Sequence, residues 1–287
     1  MEDRRYIALV DRGVLAVSGP DARSYLQALV SNDMNKVTQA RAIYATLLTP
    51  QGKFLHDFFI SALGETLLFD CEGARIDDLA RRLTFYRLRA DAKIENLSER
   101  YRVFALIGGD HSGAFGGGVI YDDPRISAIG ARAVLPHDNG VEALEEAGFT
   151  AAPAADYERL RLQHGLPDGS RDIHVEKGFL LENGIDDLNG VDFDKGCYIG
   201  QELTARTKHR ANIRKRLLRV DIDGPLPPPG APVMLGDKQA GEMRSGQDGI
   251  GLAMLRLEVI DEAATSGEPL TCGGATLTPV KPEWAEF

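Results

Sequence analysis

The sequence predicts an α+β fold of antiparallel sheets, followed by a small C-terminal β-barrel. Strand patterns come before and between the helical patterns and do not alternate strictly with them, which is typical of antiparallel α+β folds. The proline-rich stretch 224–230 then interrupts regular structure. Short apolar segments broken by glycines follow it, as in small barrels.

Apolar periodicity and turn residues define the elements of the first hundred residues. The residues Asp11, Arg12 and Gly13 separate two apolar runs and predict a hairpin. Ser18 is the expected cap of the first helix, with Pro20 in its first turn and an end near residues 31–33. The predicted strands are 6–10, 14–17, 43–48, 54–62, 66–70 and 93–97, and a second helix spans 76–88.

The rest of the chain continues the same mixture and then changes character. Strands are predicted at 103–107, 119–121 and 126–135, and helices at 141–147 and 154–164. This order resembles a pair of ferredoxin-like units. The barrel strands are predicted at 232–235, 240–244, 250–259 and 276–280. We therefore expect two interleaved α+β subdomains in residues 1–215 and the barrel in residues 216–287.

Composition limits the class of protein. Hydrophobic residues make up 43% and charged residues 26% of 287, as in ordinary soluble globular proteins. No apolar run approaches the roughly 20 residues of a membrane helix, and the N-terminal run is too short for a secretory signal. Cys71, Cys197 and Cys272 form no CxxC pair, and the six histidines are scattered, which argues against a disulfide framework or a metal site. We expect a cytoplasmic protein.

Charge is unevenly distributed. The net charge of −10 disfavours coating of nucleic acid, so direct nucleic-acid binding is not expected. Residues 205–220 nevertheless carry seven arginines and lysines and no acidic residue. Such a cluster is either a local anion site or a solvated face.

One octapeptide has the composition of a reactive site. It consists of Lys195, Gly196, Cys197, Tyr198, Ile199, Gly200, Gln201 and Glu202. A thiol at the start of a helix, with an ammonium group two residues away, holds its proton less tightly than a core thiol. The alternative is that Cys197 is a small buried hydrophobe, because free cysteine is often buried.

The octapeptide is similar to the Lys-Gly-Cys-Tyr-x-Gly-Gln-Glu signature of the YgfZ family, folate-binding relatives of the glycine-cleavage T-protein (the aminomethyltransferase GcvT). Residues 154–161 and 179–189 are also similar to that family. The resemblance implies a GcvT/YgfZ-like fold, with two ferredoxin-like units around a central channel plus a C-terminal barrel. It also implies a role in iron–sulfur cluster assembly or repair, and so in enzymes that depend on clusters, including some that modify tRNA.

The resemblance further implies a cofactor, partners and site residues. The cofactor is tetrahydrofolate or a one-carbon derivative, and the partners are iron–sulfur enzymes or assembly proteins. Residues 49–57 resemble the T-protein loop that carries paired acids, here His56 and Asp57, so Asp57 is the candidate acid near the pterin. Because strand neighbours point to opposite faces, only one of the two can face a given pocket. The alternative is a surface histidine beside a solvated aspartate.

Other residues of the motif have proposed roles. Gly196 and Gly200 permit tight turns or close approach of a ligand. Tyr198 offers a ring face and a hydroxyl group. Gln201 and Glu202 begin a helix, where Glu202 either caps the helix or contacts the ligand. Arg206 and Lys208 are candidates for a folate glutamate tail, and Asn189 is a further candidate contact.

One departure from the T-protein pattern affects the expected activity. The T-protein holds the pterin with a glutamate, and the corresponding residues 124–137 contain no Asp or Glu. A site without that carboxylate loses discrimination for the pterin, which argues against classical aminomethyl transfer.

Three functions therefore remain open. The leading hypothesis is a folate-binding accessory protein of iron–sulfur cluster assembly with a reactive Cys197. A tetrahydrofolate-dependent aminomethyltransferase or other one-carbon transferase is the alternative, with Asp57 as its acid. A non-catalytic module that binds tRNA or a protein is the third.

Overall fold

The computed structural model describes residues 4–108, 113–210 and 213–286. The strands are β1 (Arg5–Ala8), β2 (Arg12–Ser18), β3 (Ile43–Leu48), β4 (Phe54–Leu63), β5 (Thr66–Glu72), β6 (Lys93–Asn96), β7 (Tyr101–Ile107), β8 (Gly113–Phe115), β9 (Gly118–Asp122), β10 (Ala131–Pro136), β11 (Thr150–Ala151), β12 (Lys215–Asp223), β13 (Pro232–Leu235), β14 (Lys238–Gln247), β15 (Ile250–Arg256), β16 (Leu270–Cys272) and β17 (Ala275–Val280). The α-helices are α1 (Ala22–Gln27), α2 (Ile76–Arg87), α3 (Gly140–Glu146), α4 (Ala154–Gln163), α5 (Gly169–Asp172), α6 (Gln201–Arg210) and α7 (Leu257–Ser266).

The chain forms two compact units, and each is built from three separate stretches of the sequence. The first unit comprises Met1–Gln51, Leu55–Asp156 and Asn189–Gln201. The second comprises Gly52–Phe54, Tyr157–Leu188 and Glu202–Phe287. The domain boundary between residues 215 and 216 stays a prediction.

Two sheets form the first unit. One has the strand order β11-β1-β7-β10-β9-β8, and the other has the order β3-β4-β5-β2-β6. Among the described strands of the first sheet, β1 and β11 pair in parallel and the other neighbours pair antiparallel. In the second sheet β4, β5, β2 and β6 pair antiparallel in that order. Helix α2 packs on β2 and β6, and Leu144 of α3 is buried in the core of the first sheet. The α+β prediction is confirmed.

The predicted hairpin between the first two strands is wrong. A tight turn is present, because the Arg12 N–H donates to the Leu9 carbonyl over 3.0 Å. However, β1 pairs with β7 and β11, whereas β2 lies between β5 and β6 in the other sheet. Local turn residues predict the change of direction, but pairing is decided by distant strands that cover a buried strand on both edges.

Two further boundaries differ from the predictions. Helix α1 ends at Gln27, because residues 30 and 31 pair with β3 and side chains there bond to the backbone instead of continuing the helix. The strand predicted at 250–259 ends at Arg256, and α7 follows it. Short apolar runs do not distinguish a strand from a helix by periodicity alone.

A closed barrel belongs to the second unit. Its strands follow the order β12-β15-β14-β13-β16-β17, and β12 closes the barrel by pairing with both β15 and β17. Buried aliphatic side chains such as Val220, Val233 and Leu255 fill the interior. Closure leaves no unpaired sheet edge, and the predicted barrel is confirmed.

A buried ionic network joins α4, α5 and β14 within the second unit. The Arg161 side chain is 1% exposed and donates to Asp172 over 3.0 Å, to Glu158 over 2.6 Å and to the Ser245 hydroxyl over 2.8 Å. Asp172 in turn accepts the Ser245 hydroxyl over 2.6 Å. Each charged group therefore has partners, as buried charges require.

Removing one partner of this network should destabilise the protein strongly. We expect Asp172→Ala to lower the free energy of unfolding by about 3 kcal/mol or more, because Arg161 stays buried with one carboxylate fewer. The exposed pair Lys238–Glu262 is the matched control, and Lys238→Ala should change stability by less than about 1 kcal/mol. Urea denaturation measures both, and equal losses would contradict the interpretation.

Candidate functional site

The cysteine motif lies on a stretch of irregular backbone, residues 189–200, here named the cysteine segment. Its first residue, Asn189, has a left-handed backbone with φ of 58°. The Asn189 side-chain amide donates to the carbonyls of Pro124 and Arg125 over 3.1 and 3.3 Å. The Asn32 amide donates to the Asn189 carbonyl over 2.7 Å and to the Tyr44 carbonyl over 2.8 Å. These bonds fix the entrance of the segment against β3 and the turn before β10.

Further bonds hold the next residues of the cysteine segment. The Ser31 hydroxyl donates to the Gly190 carbonyl over 2.6 Å, and the Asp192 N–H donates to the Ser31 carbonyl over 2.9 Å. The Asp192 carboxylate pairs with Lys36 over 2.7 Å. The segment is therefore irregular in backbone but specified by polar contacts.

The Lys195 ammonium group binds backbone carbonyls at and just beyond the C-terminal end of helix α1. Its ammonium donates to the carbonyls of Gln27 over 2.7 Å and Val30 over 2.5 Å. The carbonyls at a helix C-terminus lack intrahelical partners, so a cation is favourable there. Burial lowers the pKa of Lys195 to about 8. The ammonium also lies 5.2 Å from the Tyr198 ring centre. Activation of the Cys197 thiol by Lys195 stays a prediction.

Cys197 is exposed, whereas Cys71 and Cys272 are buried. Burial raises the pKa of the Cys71 thiol to about 12 and also raises that of Cys272. Helix α6 begins at Gln201, so the thiol precedes the helix by four residues. Gly196, beside the thiol, has φ of 93°, and an added Cβ would meet no atom within 4 Å. Its conformation, and not crowding, favours glycine.

The residues after the thiol start helix α6. The Gln201 side chain accepts the Tyr198 N–H over 3.4 Å, and the Gln201 N–H donates to the Tyr198 carbonyl over 3.2 Å. Tyr198 is buried, with 7% exposure. Glu202 lies in the first turn, as predicted, and pairs with Arg206 over 2.8 Å. Gly200, like Gly196, has a positive φ, at 83°. Contacts of Tyr198 with folate stay a prediction.

The two candidate residues on β4 are both buried. Asp57 accepts the Tyr44 hydroxyl over 2.9 Å. His56 bonds to Asp78 over 2.9 Å, and burial lowers the His56 pKa to about 4. The different partners agree with the alternation expected along a strand. The alternative of a surface histidine beside a solvated aspartate does not hold, because both side chains are at most 5% exposed.

A buried cluster of arginines was not found from the sequence. The Phe59 ring lies 4.1 Å from the guanidinium of Arg132 and 4.9 Å from that of Arg125. Arg132 donates to Asp70 over 2.7 Å, and Arg125 donates to Asp123 over 2.8 Å. Burial opposes the charge of Asp123, but the neighbouring arginines hold the pKa of that carboxyl below its usual value. The one sequence feature that could have indicated this cluster is the pair of acids, Asp122 and Asp123, directly before Pro124 and Arg125.

A polar cavity of about 360 Å³ adjoins the entrance of the cysteine segment, within the first unit. Asn32, Asn189, Lys36 and Asp122 contribute polar side chains to it. Its complete lining is Asn32, Lys36, Ala40, Arg41, Ala42, Ile43, Asp122, Pro124, Asn189 and Val191. Residues 124–137, which correspond to the T-protein segment with the pterin-binding glutamate, contain no carboxylate. Asp122 supplies one two residues before that stretch.

The basic run after the motif is largely matched by acceptors within the second unit. Lys208 pairs with Asp186 over 2.8 Å. Arg219 pairs with Asp221 over 2.6 Å, and Arg216 donates to the Leu181 carbonyl over 3.1 Å. The side chains of residues 209 and 210, and all of 211 and 212, lie outside the described residues. The assignment of Arg206 and Lys208 to a glutamate tail stays a prediction.

Two classes of feature are not found in the described ranges 4–108, 113–210 and 213–286. No group of three or more His, Cys, Asp or Glu side chains is placed to hold a metal ion. In the same ranges, no helix combines the length and apolar character needed to cross a membrane.

Comparison with known proteins identifies both ends of the chain. Residues 8–112 match the family model described as the GCVT N-terminal domain, and residues 214–287 match that of the CAF17 C-terminal beta-barrel domain. A mouse protein named "Iron-sulfur cluster assembly factor IBA57, mitochondrial" is 34% identical over 95% of this chain and 83% of its own length. The chain belongs to the IBA57 family. The human protein of that name is 36% identical over 87% of this chain and 76% of its own. A Neurospora crassa homologue of that name is 30% identical over 91% and 71%.

A solved structure shows which fold this IBA57-family chain shares. Glycine cleavage system aminomethyltransferase T from Bartonella henselae superposes with a TM-score of 0.77. It covers 99% of this chain and 87% of its own, at 14% identity, which shows a shared fold. The predicted GcvT-like fold is therefore confirmed, whereas membership of the YgfZ branch itself stays a prediction.

The predicted cytoplasmic location is wrong for the IBA57 family, because the mouse, human and Neurospora crassa relatives are all named as mitochondrial. The prediction rested on the short apolar runs and on three cysteines without a CxxC pair, which bear on membranes and secretion. Those runs do not separate the cytoplasm from an organelle. The names of these relatives mention iron–sulfur cluster assembly. They do not support the predicted link to enzymes that modify tRNA.

Exposure predicts which thiol reacts in the folded protein. We expect iodoacetamide to alkylate Cys197 at least about 100-fold faster than Cys71 or Cys272, because buried thiols react only after opening of the structure. Mass spectrometry of the native protein measures the sites, and Cys197→Ser is the control. Rapid labelling of Cys71 at the same rate would contradict the burial described here.

The buried His56 predicts how stability depends on pH. Its folded pKa of about 4 lies below the ordinary histidine value of 6.5, so the unfolded chain binds more protons between these values. The stabilisation is therefore present above pH 6.5 and is lost on acidification, by about 3 kcal/mol at pH 4. Urea denaturation from pH 7 to 4 should show a smaller loss for His56→Gln than for wild type. Parallel curves would contradict the prediction.

Proposed function

We propose that this chain is a folate-binding accessory protein of iron–sulfur cluster assembly. The observation that carries the proposal is the exposed Cys197 on a segment whose first residue, Asn189, lines a polar cavity. The relatives named as iron–sulfur cluster assembly factors support the same role. The cysteine supplies the chemistry, and the cavity supplies the folate site.

The cavity offers the hydrogen-bond acceptor that the N–H edge of a pterin requires. A pterin edge carries adjacent N–H donors, and the Asp122 carboxylate accepts such a pair in a bidentate manner. Arg41 on the lining provides a cation for the carboxylates of a folate, and Lys36, which also pairs with Asp192, adds a second positive charge. The volume of about 360 Å³ falls in the range of small-molecule sites. Tetrahydrofolate, or a one-carbon derivative, therefore fits the residues present.

Cys197 acts as a single thiolate toward its cargo. Iron–sulfur clusters are normally held by several thiolates, and the other two cysteines of this chain are buried. The remaining ligands of any cluster bound at Cys197 are therefore supplied by a partner assembly protein or a small thiol. An exposed position, without neighbouring thiols of the same chain, suits transfer between proteins.

Separating binding from chemistry tests the proposal. Isothermal titration with tetrahydrofolate should give Cys197→Ala the wild-type affinity within about twofold, since Cys197 is not part of the cavity lining. Asp122→Asn should weaken binding about tenfold or more, because a charged hydrogen-bond acceptor is lost. In cells lacking the protein, Cys197→Ala should fail to restore the activity of iron–sulfur enzymes.

Two outcomes would overturn the assignment. Full restoration of iron–sulfur enzyme activity by Cys197→Ala would remove the role of the thiol. Folate-dependent turnover of an aminomethyl-lipoyl carrier that survives the same substitution would instead favour the transferase, with Asp57 as its acid.

A further inference from the structure

The C-terminal end of helix α2 exposes two large apolar side chains. Phe85 is 75% exposed and Leu88 is 86% exposed. Phe85 lies in the last turn of α2 and Leu88 directly follows the helix, so both side chains belong to its C-terminal end. The opposite side of α2 is buried through Ile76, Leu79 and Leu83. Packing within the chain therefore accounts for the apolar face of α2 but not for the two exposed apolar side chains at its C-terminal end.

Leu88 is also held in a strained conformation. It follows the last residue of α2 with φ of 47°, in the region where glycine is the usual residue. The fold gains little from leucine at this position, because the side chain is almost fully exposed. Leu88 thus combines a strained backbone with an exposed apolar side chain, and a contact with another molecule explains this combination better than packing within the chain does.

Arginines surround the two apolar side chains. Arg81, Arg87 and Arg89 are exposed, and Arg81 pairs with Asp78 within the helix. Arg87 donates to the Ala92 carbonyl over 3.2 Å. Within residues 4–108, 113–210 and 213–286, no carboxylate lies at salt-bridge distance from Arg87 or Arg89. Cations at a helix C-terminus are favourable, which explains Arg87 but neither Phe85 nor Leu88.

We propose that this surface, formed by Arg81, Phe85, Arg87, Leu88 and Arg89 and named the α2-end patch, docks an acidic partner protein. The partner presents carboxylates around an apolar pocket that receives Phe85 and Leu88. Aromatic and arginine side chains are the typical energetic centres of protein interfaces. The chain as a whole carries a net charge of −10, so an acidic partner is repelled elsewhere and directed to this patch.

Other occupants fit the patch less well. A symmetric pair of copies would place the same arginines against each other, which is unfavourable. A membrane surface would be contacted by only two apolar side chains, few for stable anchoring. Nucleic acid would use the arginines on its phosphates and Phe85 for base stacking. It would leave Leu88 without a partner, and the net charge of −10 of the chain opposes its approach.

The test places a photoreactive p-benzoylphenylalanine at position 85 of the full chain, expressed in its native cells. The same probe at Val10, which is 82% exposed and outside the patch, is the matched control. A protein captured from position 85 alone is then purified and titrated against wild type and three variants: Phe85→Ala, Leu88→Gly and the double variant Arg87→Glu/Arg89→Glu. Each variant is also melted, and its circular dichroism spectrum is recorded to show that the fold is intact.

The expected result is at least a tenfold weaker Kd for each variant, roughly the loss of one interface anchor. The affinity of wild type should fall as salt rises, because exposed charges are screened. Leu88→Gly is the decisive variant: it should raise Tm, because glycine relieves the positive φ, while it weakens binding. Capture of nothing specific, of a second copy, or of nucleic acid would overturn the proposal. So would unchanged affinity of the captured protein for the variants, or flotation with phosphatidylserine vesicles that depends on Phe85.

Discussion

The geometry around Cys197 depends on side chains that bind the main chain of the cysteine segment. Lys195 satisfies the carbonyls at the end of α1, and Ser31 and Asn32 bind the carbonyls of the segment's first two residues. Buried hydrogen bonds to the backbone define a unique conformation where no helix or strand can. The exposed thiol is thus carried on an irregular segment with a defined entrance. The candidate site follows from this constraint.

Buried charges serve a related purpose in both units. In the first, arginines stack on Phe59 and pair with Asp70 and Asp123. In the second, Arg161 connects helix and barrel residues through Asp172 and Ser245. Replacing such a network by well-packed apolar residues costs little stability, but removing one member leaves a buried charge uncompensated. Each network therefore holds the elements it joins only while all of its members are present.

Most of the fold was predictable from local patterns, because apolar periodicity and turn residues report local backbone preference. The barrel, the strands β3 to β5 and helix α2 were located in this way. The partners of β1 and β2 were not, since strand pairing depends on residues far away in sequence. Helix α1 ended early because Ser31 and Asn32 bond elsewhere, and those acceptors lie more than 150 residues away.

The candidate site likewise contains some residues that the sequence predicts and others that it does not. Cys197 and its glycines were found from an unusual motif, and the exposure of the thiol agrees with that interpretation. Asp122, Asn32 and the arginine cluster were missed, since nothing in a single sequence indicates that residues 32, 122 and 189 share one cavity. The spacing predicts that Lys195 acts on the thiol, but its ammonium donates to the carbonyls of Gln27, at the end of α1, and of Val30, just beyond that end.

The distribution of cysteines has a consequence for redox behaviour. Protein sensors that recycle an oxidised sulfur usually keep a resolving cysteine nearby, with which it forms an internal disulfide. Here Cys71 and Cys272 are enclosed in their own cores, so a sulfenic acid formed at position 197 has no second thiol of the same chain within reach. Its return to the reduced state must come through a mixed disulfide with another molecule, and that dependence makes the protein sensitive to the thiol pool around it.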